Sequence, residues 1–224
     1  MRELKKRLYT VATLVPKGAR VADIGTDHGH LPIYLRQNGI SPFCIASDIK
    51  EKPLATARLN IQKTATCEID TRLGFGLSTV KPYEIDCVTI AGMGGEVISS
   101  IIEEAPWLKD SRYTLILQPM TSADALRKYL SENGFEIVCE VATDESDRVY
   151  TVLKVQYSGA CFSPDDVFLR CGKLSAEEPI SRRYIEKQLK IVKKCIDDLT
   201  ASGKNADLND LYNTYNSIKN LLGD

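Results

Sequence analysis

The chain alternates short apolar runs with segments of helical spacing, and it breaks that alternation near residue 160. The last two apolar runs, 135–142 and 149–157, are separated only by the polar residues 143–148. A loop so short cannot contain a crossover helix, so these two strands must be antiparallel. The preceding strands alternate with helices, which predicts right-handed crossovers and a mostly parallel sheet. An α/β fold with seven strands and a reversed terminal strand is therefore expected.

This Rossmann-like sheet with a reversed hairpin is the architecture of class I methyltransferases, which we predict for residues 1–159. The apolar spacing indicates an N-terminal helix within 2–15 and a third strand around 66–69. From residue 160 the pattern is helical throughout, with apolar residues at steps of three and four over 185–199 and 208–222. The polar residues 200–209 join these two stretches. We expect residues 160–224 to form a coiled-coil-like helical hairpin domain.

The net charge of −1 conceals two basic segments. Residues 1–20 contain six Lys or Arg against one Glu, and residues 182–194 repeat that ratio. Two basic ends around an acidic centre favour an anionic partner held at the periphery, although either segment alone is better explained as a solvated helix face.

The seven cysteines show no CxxC pair, which favours a reducing compartment and argues against zinc. The first residues are too polar for a signal peptide, and no apolar run is long enough to span a membrane. We therefore expect a cytoplasmic protein that binds neither metal nor membrane.

The stretch 21–32 indicates a ligand site, because a buried strand leads through a glycine turn into a helix. Asp23 lies on the strand, two residues before Gly25. A pyrophosphate would be repelled by this carboxylate, whereas the ammonium group of S-adenosylmethionine would be attracted. NAD is the competing cofactor, but the sequence 25–30 does not fit G-x-G-x-x-G, and Asp27 would add negative charge.

Three further strand ends should converge on this turn at the carboxyl edge of the sheet. Asp48 ends the second strand, where a carboxylate binds a ribose diol. Each residue alone also fits a plain tight turn or a helix cap. Together they give the predicted cofactor positions: Asp23, Gly25, Thr26, Asp27, His28, Gly29, Asp48, Ile49, Arg72, Gly74, Gly92, Met93 and Gly94.

The fourth strand ends in a glycine-rich turn where amino-directed base methyltransferases commonly carry Asp/Asn-Pro-Pro-aromatic. No cysteine pair suggests covalent attack on cytosine. A ring nitrogen with a free lone pair, such as adenine N1, requires neither device. Asp27 and His28 are the candidate catalytic residues, Asp27 to compensate the cation that forms and His28 to move a proton. Alternatively, Asp27 binds the methionine ammonium and His28 only packs.

These motifs resemble the bacterial tRNA (adenine-N1)-methyltransferase family that modifies adenosine 22 in the D-arm. The resemblance covers the whole chain and rests on residues 14–28, 72–74, 91–95 and 117–120. It implies a class I S-adenosylmethionine domain, a coiled-coil-like helical domain and tRNA as the substrate. Met120 departs from the family, which often has Asn there.

The sequence thus predicts an S-adenosylmethionine-dependent methyltransferase acting on N1 of a tRNA adenosine. We expect no DNA partner and favour a monomer. The alternatives are a small-molecule methyltransferase with a dimerising hairpin and a non-catalytic tRNA-binding protein with a vestigial cofactor fold. Phosphate contacts are expected from the basic segments: Lys5, Lys6, Arg7, Arg182, Arg183, Lys187, Lys190 and Lys194.

Overall fold

The computed structural model describes residues 4–202 and 208–223. The strands are β1 (Val21–Ile24), β2 (Cys44–Asp48), β3 (Ile69–Leu73), β4 (Cys87–Gly94), β5 (Thr114–Thr121), β6 (Phe135–Glu145) and β7 (Arg148–Tyr157). The helices are α1 (Lys6–Leu14), α2 (His30–Gln37), α3 (Glu51–Lys63), α4 (Gly95–Glu103), α5 (Ala123–Glu132), α6 (Asp166–Cys171), α7 (Pro179–Ala201) and α8 (Leu208–Leu221).

The strands form one seven-stranded sheet in the order β3-β2-β1-β4-β5-β7-β6. The pairs among β1 to β5 are parallel, while β7 is antiparallel to both β5 and β6. The predicted reversed terminal strand is confirmed. The hairpin is longer than expected, because pairing continues to Glu145 and Arg148 and leaves only two residues in its turn.

Four elements have bounds that differ from the prediction. The third strand covers 69–73 rather than 66–69, because pairing with β2 runs from Ile69 to Leu73 despite little apolar character. The fourth and fifth strands continue through the motifs at 91–94 and 118–121, with register shifts around Met93. The N-terminal helix begins at Lys6, and residues 2 and 3 of the expected helix lie outside the described residues.

Apolar clusters cover both faces of the sheet. On one face, Ile98 of α4 and Leu126 of α5 belong to a cluster with Ile90 of β4. On the other face, Val11 of α1 and Leu35 of α2 pack with β-strand residues of the same sheet. The two layers of helices leave the carboxyl ends of the central strands available for a site.

The helices after residue 160 pack on the terminal hairpin of the sheet. Ala142 of β6 and Val149 of β7 share a buried cluster with Tyr184 and Ile185 of α7. The guanidinium of Arg182 donates to the Leu222 carbonyl at 3.1 Å, so the start of α7 lies beside the end of α8. These two helices are thus antiparallel, and part of their predicted connection, 203–207, lies outside the described residues. No helix within 4–202 and 208–223 has the length and apolar character needed to cross a membrane.

Candidate active site

The carboxyl ends of β1, β2 and β4 meet in the middle of the sheet. β1 pairs in parallel with β2 on one side and with β4 on the other. The chain leaves β1 toward β2 and β3 and later returns to the opposite side through β4. Open α/β sheets bind ligands in the crevice at such a switch point. The turns after these strands carry most of the residues that the sequence selected.

Asp23 lies on β1 beside Thr89 of β4. Its side chain is buried, and the Thr89 hydroxyl donates to Asp23 Oδ1 at 2.8 Å. Burial raises the pKa of Asp23 to about 6, although the hydrogen bond from Thr89 opposes that rise. A ligand ammonium group would stabilise the ionised form. The sequence did not lead us to select Thr89. Its one distinguishing feature there is that it is a polar residue within an apolar run.

The turn after β1 depends on two glycines with positive φ. Gly25 has a φ of +72°, and a Cβ at this position would collide with Met93 Cε. Gly29 has a φ of +70°, and a Cβ there would lie 3.1 Å from Ala57 Cβ of α3. The N–H of Gly25 also donates to the Ser47 carbonyl at 2.8 Å. These contacts draw the turn close to both neighbouring elements, as only glycine permits here.

Asp27 and His28 follow within the same turn. Asp27 has a φ of +51°, a costly conformation for a residue with a Cβ. Its carboxylate is 67% exposed, and its Oδ2 lies 3.6 Å from His28 Nε2, beyond hydrogen-bond distance. His28 Nδ1 is buried without a hydrogen-bond partner among the described residues. Both side chains therefore have free hydrogen-bonding capacity at the crevice.

Asp48 connects the turns after β1 and β2. Its Oδ2 accepts from the Asp27 N–H at 3.3 Å, and its Oδ1 accepts from the Lys50 N–H at 2.8 Å. The helix cap position belongs to Lys50, so Asp48 is not the N-cap of α3. Ile49 follows with 58% of its side chain exposed, and it offers apolar surface beside the carboxylate.

Arg72 lies on β3, and its guanidinium is engaged inside the protein. Its Nη atoms donate to both Glu84 carboxylate oxygens at 2.8 and 2.9 Å and to the Thr79 carbonyl at 2.6 Å. The bonds from Arg72 lower the pKa of Glu84 to about 2. We therefore interpret Arg72 as a residue that holds the loop carrying Gly74, whose N–H donates to the Asp48 carbonyl at 3.0 Å.

The glycine turn at the end of β4 is tied to β5 and to α1. The Gly92 N–H donates to Gln118 Oε1 at 3.0 Å, and Arg7 Nη1 donates to the same oxygen at 2.6 Å. The sequence grouped Arg7 with the phosphate-binding cations, but its side chain is 14% exposed and lies 3.5 Å from Glu145. Arg7 and Gln118 thus form one wall beside Gly92, Met93 and Gly94, a role that sequence reasoning missed.

The crevice brings together carboxylates and buried polar atoms that have no partner in the described chain. Asp23 is a buried carboxylate on β1, and Asp48 is a second carboxylate at the end of β2. Ser47 Oγ and His28 Nδ1 are buried atoms that lack partners in the described chain, which is unusual unless a ligand satisfies them. Across 4–202 and 208–223, no three His, Cys, Asp or Glu side chains are grouped so as to hold a metal ion.

Comparison with known proteins identifies the family. A family model for a methyltransferase domain matches residues 4–153. The tRNA (adenine(22)-N(1))-methyltransferase of Bacillus subtilis is 37% identical over 177 residues, which are 78% of this chain and 74% of that protein. The chain belongs to the tRNA (adenine(22)-N1)-methyltransferase family.

Solved structures of tRNA (adenine(22)-N1)-methyltransferases are similar to this family member over nearly its whole length. The B. subtilis m1A22 tRNA methyltransferase TrmK is similar with a TM-score of 0.84 at 28% identity, covering 98% of this chain and 99% of that one. M. capricolum TrmK, in complex with the cofactor product S-adenosyl-homocysteine, has a TM-score of 0.80 at 28% identity, covering 99% of both chains. The helical region after residue 160 is therefore part of the shared fold.

The two basic segments of this methyltransferase family member meet at the tip of the terminal hairpin. Lys6 Nζ donates to Asp144 Oδ1 at 2.9 Å, and Arg183 Nη1 donates to Asp144 Oδ2 at 3.2 Å. These bonds lower the pKa of Asp144. Lys5 pairs with the neighbouring Glu145 at 3.4 Å. The ends of the chain that were expected to hold an anion are therefore adjacent in space.

The remaining basic residues differ in whether an acidic side chain of the protein already pairs with them. Arg182 pairs with Glu186 at 3.3 Å on the surface of α7. Lys187, Lys190 and Lys194 have no ion-pair partner among residues 4–202 and 208–223, and they recur at helical spacing on one exposed face of α7. This face is the part of the basic surface whose charges remain free for an anionic partner.

Proposed function

We propose that this protein transfers a methyl group from S-adenosylmethionine to N1 of adenosine 22 in tRNA. The observation that carries the proposal is the buried Asp23 at the switch point of a chain in this family. S-adenosylmethionine supplies an electrophilic methyl group, which the N1 lone pair attacks as the carbon–sulfur bond breaks. The product base is a cation, so the site must tolerate positive charge.

The geometry of the crevice supports the proposed cofactor positions. Asp23 would bind the methionine ammonium group, and Asp48 would accept hydrogen bonds from the ribose diol. Ile49 would cover part of the adenine ring. Backbone near the reacting centre comes from Gly92, Met93 and Gly94, while the turn 25–29 shapes the opposite wall. Arg72 and Gly74 contribute by fixing the loop after β3.

Asp27 and His28 are the proposed catalytic residues. The exposed Asp27 carboxylate projects from a strained turn, where it can stabilise the positive charge that develops on the adenine ring. The partly exposed imidazole of His28 can exchange a proton with the exocyclic amine. In the competing interpretation, Asp27 and Asp23 together bind the ammonium group of the cofactor.

The region 160–224 is the proposed tRNA-binding domain, and residues 1–159 are the proposed catalytic domain. The unpaired cations of α7 would contact phosphates without reading sequence, while Lys5, Lys6 and Arg183 would add charge near the hairpin tip. A helical tRNA arm offers its shape more than its base edges, so we expect recognition by shape. A tRNA substrate implies a cytoplasmic enzyme, and we propose that it acts as a monomer.

The test is an incubation of the purified protein with methyl-labelled S-adenosylmethionine and unmodified tRNA transcripts. N1 methylation blocks Watson–Crick pairing, so reverse transcriptase should stop at position 22. A transcript with guanosine in place of adenosine 22 is the matched control and should give neither label nor stop. Label in small-molecule extracts with none in tRNA would contradict the proposal and favour the small-molecule alternative.

A further inference from the structure

A cavity of about 240 Å³ lies between the sheet and the helical region. The end of β5, Ser122 and the start of α5 form one wall (residues 119–124), and the start of β7 with α6 and α7 form the others. This wall begins directly after Gln118, whose amide contacts the glycine turn of β4. The cavity therefore lies next to the glycine turn of β4, at the edge of the crevice.

Four charged residues line the cavity: Asp124, Arg127, Arg170 and Lys187. Arg127 is fully buried, and Glu140 neutralises it at 2.6 Å. Arg170 and Lys187 have no ion pair within the described chain, whereas Asp124 is exposed at the first turn of α5. Two unpaired cations against one exposed carboxylate make the cavity attractive to an anion.

The backbone of the same wall adds to this preference. α5 begins at Ala123, and Ser122 makes no side-chain capping bond to its first turn. The positive end of this helix therefore lies at the cavity wall without a side-chain cap from Ser122, and Asp124 in its first turn offsets part of that charge. Tyr150 and Ile191 give the opposite side an aromatic and an aliphatic surface. The lining thus combines cations with apolar area, as a nucleotide requires for its phosphate and its base.

The volume limits what can enter. Pockets for complete small ligands occupy about 300 to 1,000 Å³, so a cavity of about 240 Å³ suits part of a larger molecule. We propose that it receives one nucleotide of the substrate RNA adjacent to the target adenosine, with its phosphate between Arg170 and Lys187. This inference rests on the proposed function and names a contact that would hold the RNA while the adenosine reaches the glycine turn of β4.

The first test removes the cations in the variant Arg170→Ala/Lys187→Ala. We expect the KM for tRNA to rise about tenfold. The slope of log K for tRNA binding against the logarithm of the salt concentration should become shallower by about 0.7 to 0.9 per lost phosphate contact. Affinity for S-adenosylmethionine should be unchanged. Lys193→Ala is the matched control, because Lys193 lies on the same helix but pairs with Asp197 at 2.9 Å and does not line the cavity.

A second test fills the space without removing charge. Gln188→Trp introduces a bulky side chain at the cavity wall, and the KM for tRNA should rise as in the double variant. A photoreactive amino acid in place of Gln188 should cross-link to a nucleotide neighbouring adenosine 22, whereas one in place of Lys193 should not. If Gln188→Trp lowers the melting temperature, the cross-link replaces the KM as the test of whether a nucleotide occupies the cavity.

The outcomes separate this inference from the proposed function. Wild-type protein that methylates no tRNA would overturn the proposed function itself. Wild-type methylation with an unchanged KM in both cavity variants would overturn the inference alone. An equal rise of KM in Lys193→Ala would also overturn it, because general attraction along α7 would then explain the effect.

Discussion

Thr89 donates a hydrogen bond to Asp23 across the two central strands, at 2.8 Å between Oγ1 and Oδ1. Burial nevertheless raises the pKa of Asp23 to about 6 from the ordinary 3.8. The folded state therefore binds this proton more tightly than the unfolded chain does. The stabilisation from protonated Asp23 is complete below about pH 4 and is lost as the pH rises through about 6.

This shift predicts a pH-dependent difference between the wild type and Asp23→Asn. Between about pH 4 and pH 7, the free energy of unfolding of the variant should rise by about 2 kcal/mol relative to that of the wild type. Urea unfolding of the ligand-free proteins across this range measures the difference. A difference that stays constant with pH would show that Asp23 is not desolvated.

The same residue predicts the pH dependence of cofactor affinity. Only the ionised carboxylate attracts an ammonium group, so affinity for S-adenosylmethionine should fall by up to about tenfold per pH unit below about 6. Asp23→Asn should bind weakly at every pH while remaining folded. Calorimetric titration of both proteins between about pH 5 and pH 8 checks this, and parallel pH profiles would contradict it.

Asp27→Asn separates the two interpretations of Asp27. Asparagine tolerates the positive φ of this position, so the turn should keep its shape. If the carboxylate stabilises the adenine cation, kcat should fall about 100-fold or more while S-adenosylmethionine affinity is retained. We expect this result from single-turnover methylation and separate cofactor titration. A loss of affinity with unchanged chemistry would instead assign Asp27 to the ammonium group.

The bond from Arg7 to Gln118 predicts a positioning role for the N-terminal helix. Arg7→Lys keeps the charge but cannot reproduce the planar guanidinium contact, so kcat should fall about tenfold with an unchanged salt dependence of tRNA binding. Lys6→Ala, which removes an exposed cation of the same helix, should weaken tRNA binding with little effect on kcat. A weaker affinity for tRNA with an unchanged kcat in Arg7→Lys would indicate a phosphate contact instead.

The parallel sheet, its reversed strand and the convergence of the strand-end residues were predictable from sequence. Period-two and period-3.6 patterns report which faces are buried, and a six-residue polar loop excludes a crossover. The third strand was misplaced because Ile69 to Leu73 is mostly polar and pairs along its backbone at the sheet edge. Its formation depends on β2, which a local pattern does not contain.

The roles of individual cations were not predictable in the same way. Arg7 and Lys6 are adjacent in sequence, yet Arg7 enters the protein to reach Gln118, 111 residues away, while Lys6 stays exposed. Likewise, Asp144 was an unremarked loop residue that joins α1 to α7. Such pairings depend on long-range packing, which charge counts along the chain do not describe.

A buried ion pair fixes the helical region to the sheet. Arg127 of α5 donates to Glu140 of β6 at 2.6 Å and to the Leu169 carbonyl at 2.6 Å, and it lies 3.3 Å from the Tyr184 hydroxyl of α7. Both charged side chains are fully buried. Removing one partner would leave an uncompensated charge in the interior.

We therefore expect Glu140→Gln to lower the free energy of unfolding by about 3 to 5 kcal/mol. The matched control is Glu136→Gln on the same strand, whose exposed carboxylate lies 3.7 Å from Lys173, and its cost should be below about 1 kcal/mol. Urea unfolding measures both values. Because Arg127 joins α5, α6 and α7, the KM for tRNA should also rise in Glu140→Gln at temperatures where it remains folded, while cofactor affinity is retained. Equal losses of stability in the two variants would show that the buried pair has no special part in attaching the helices.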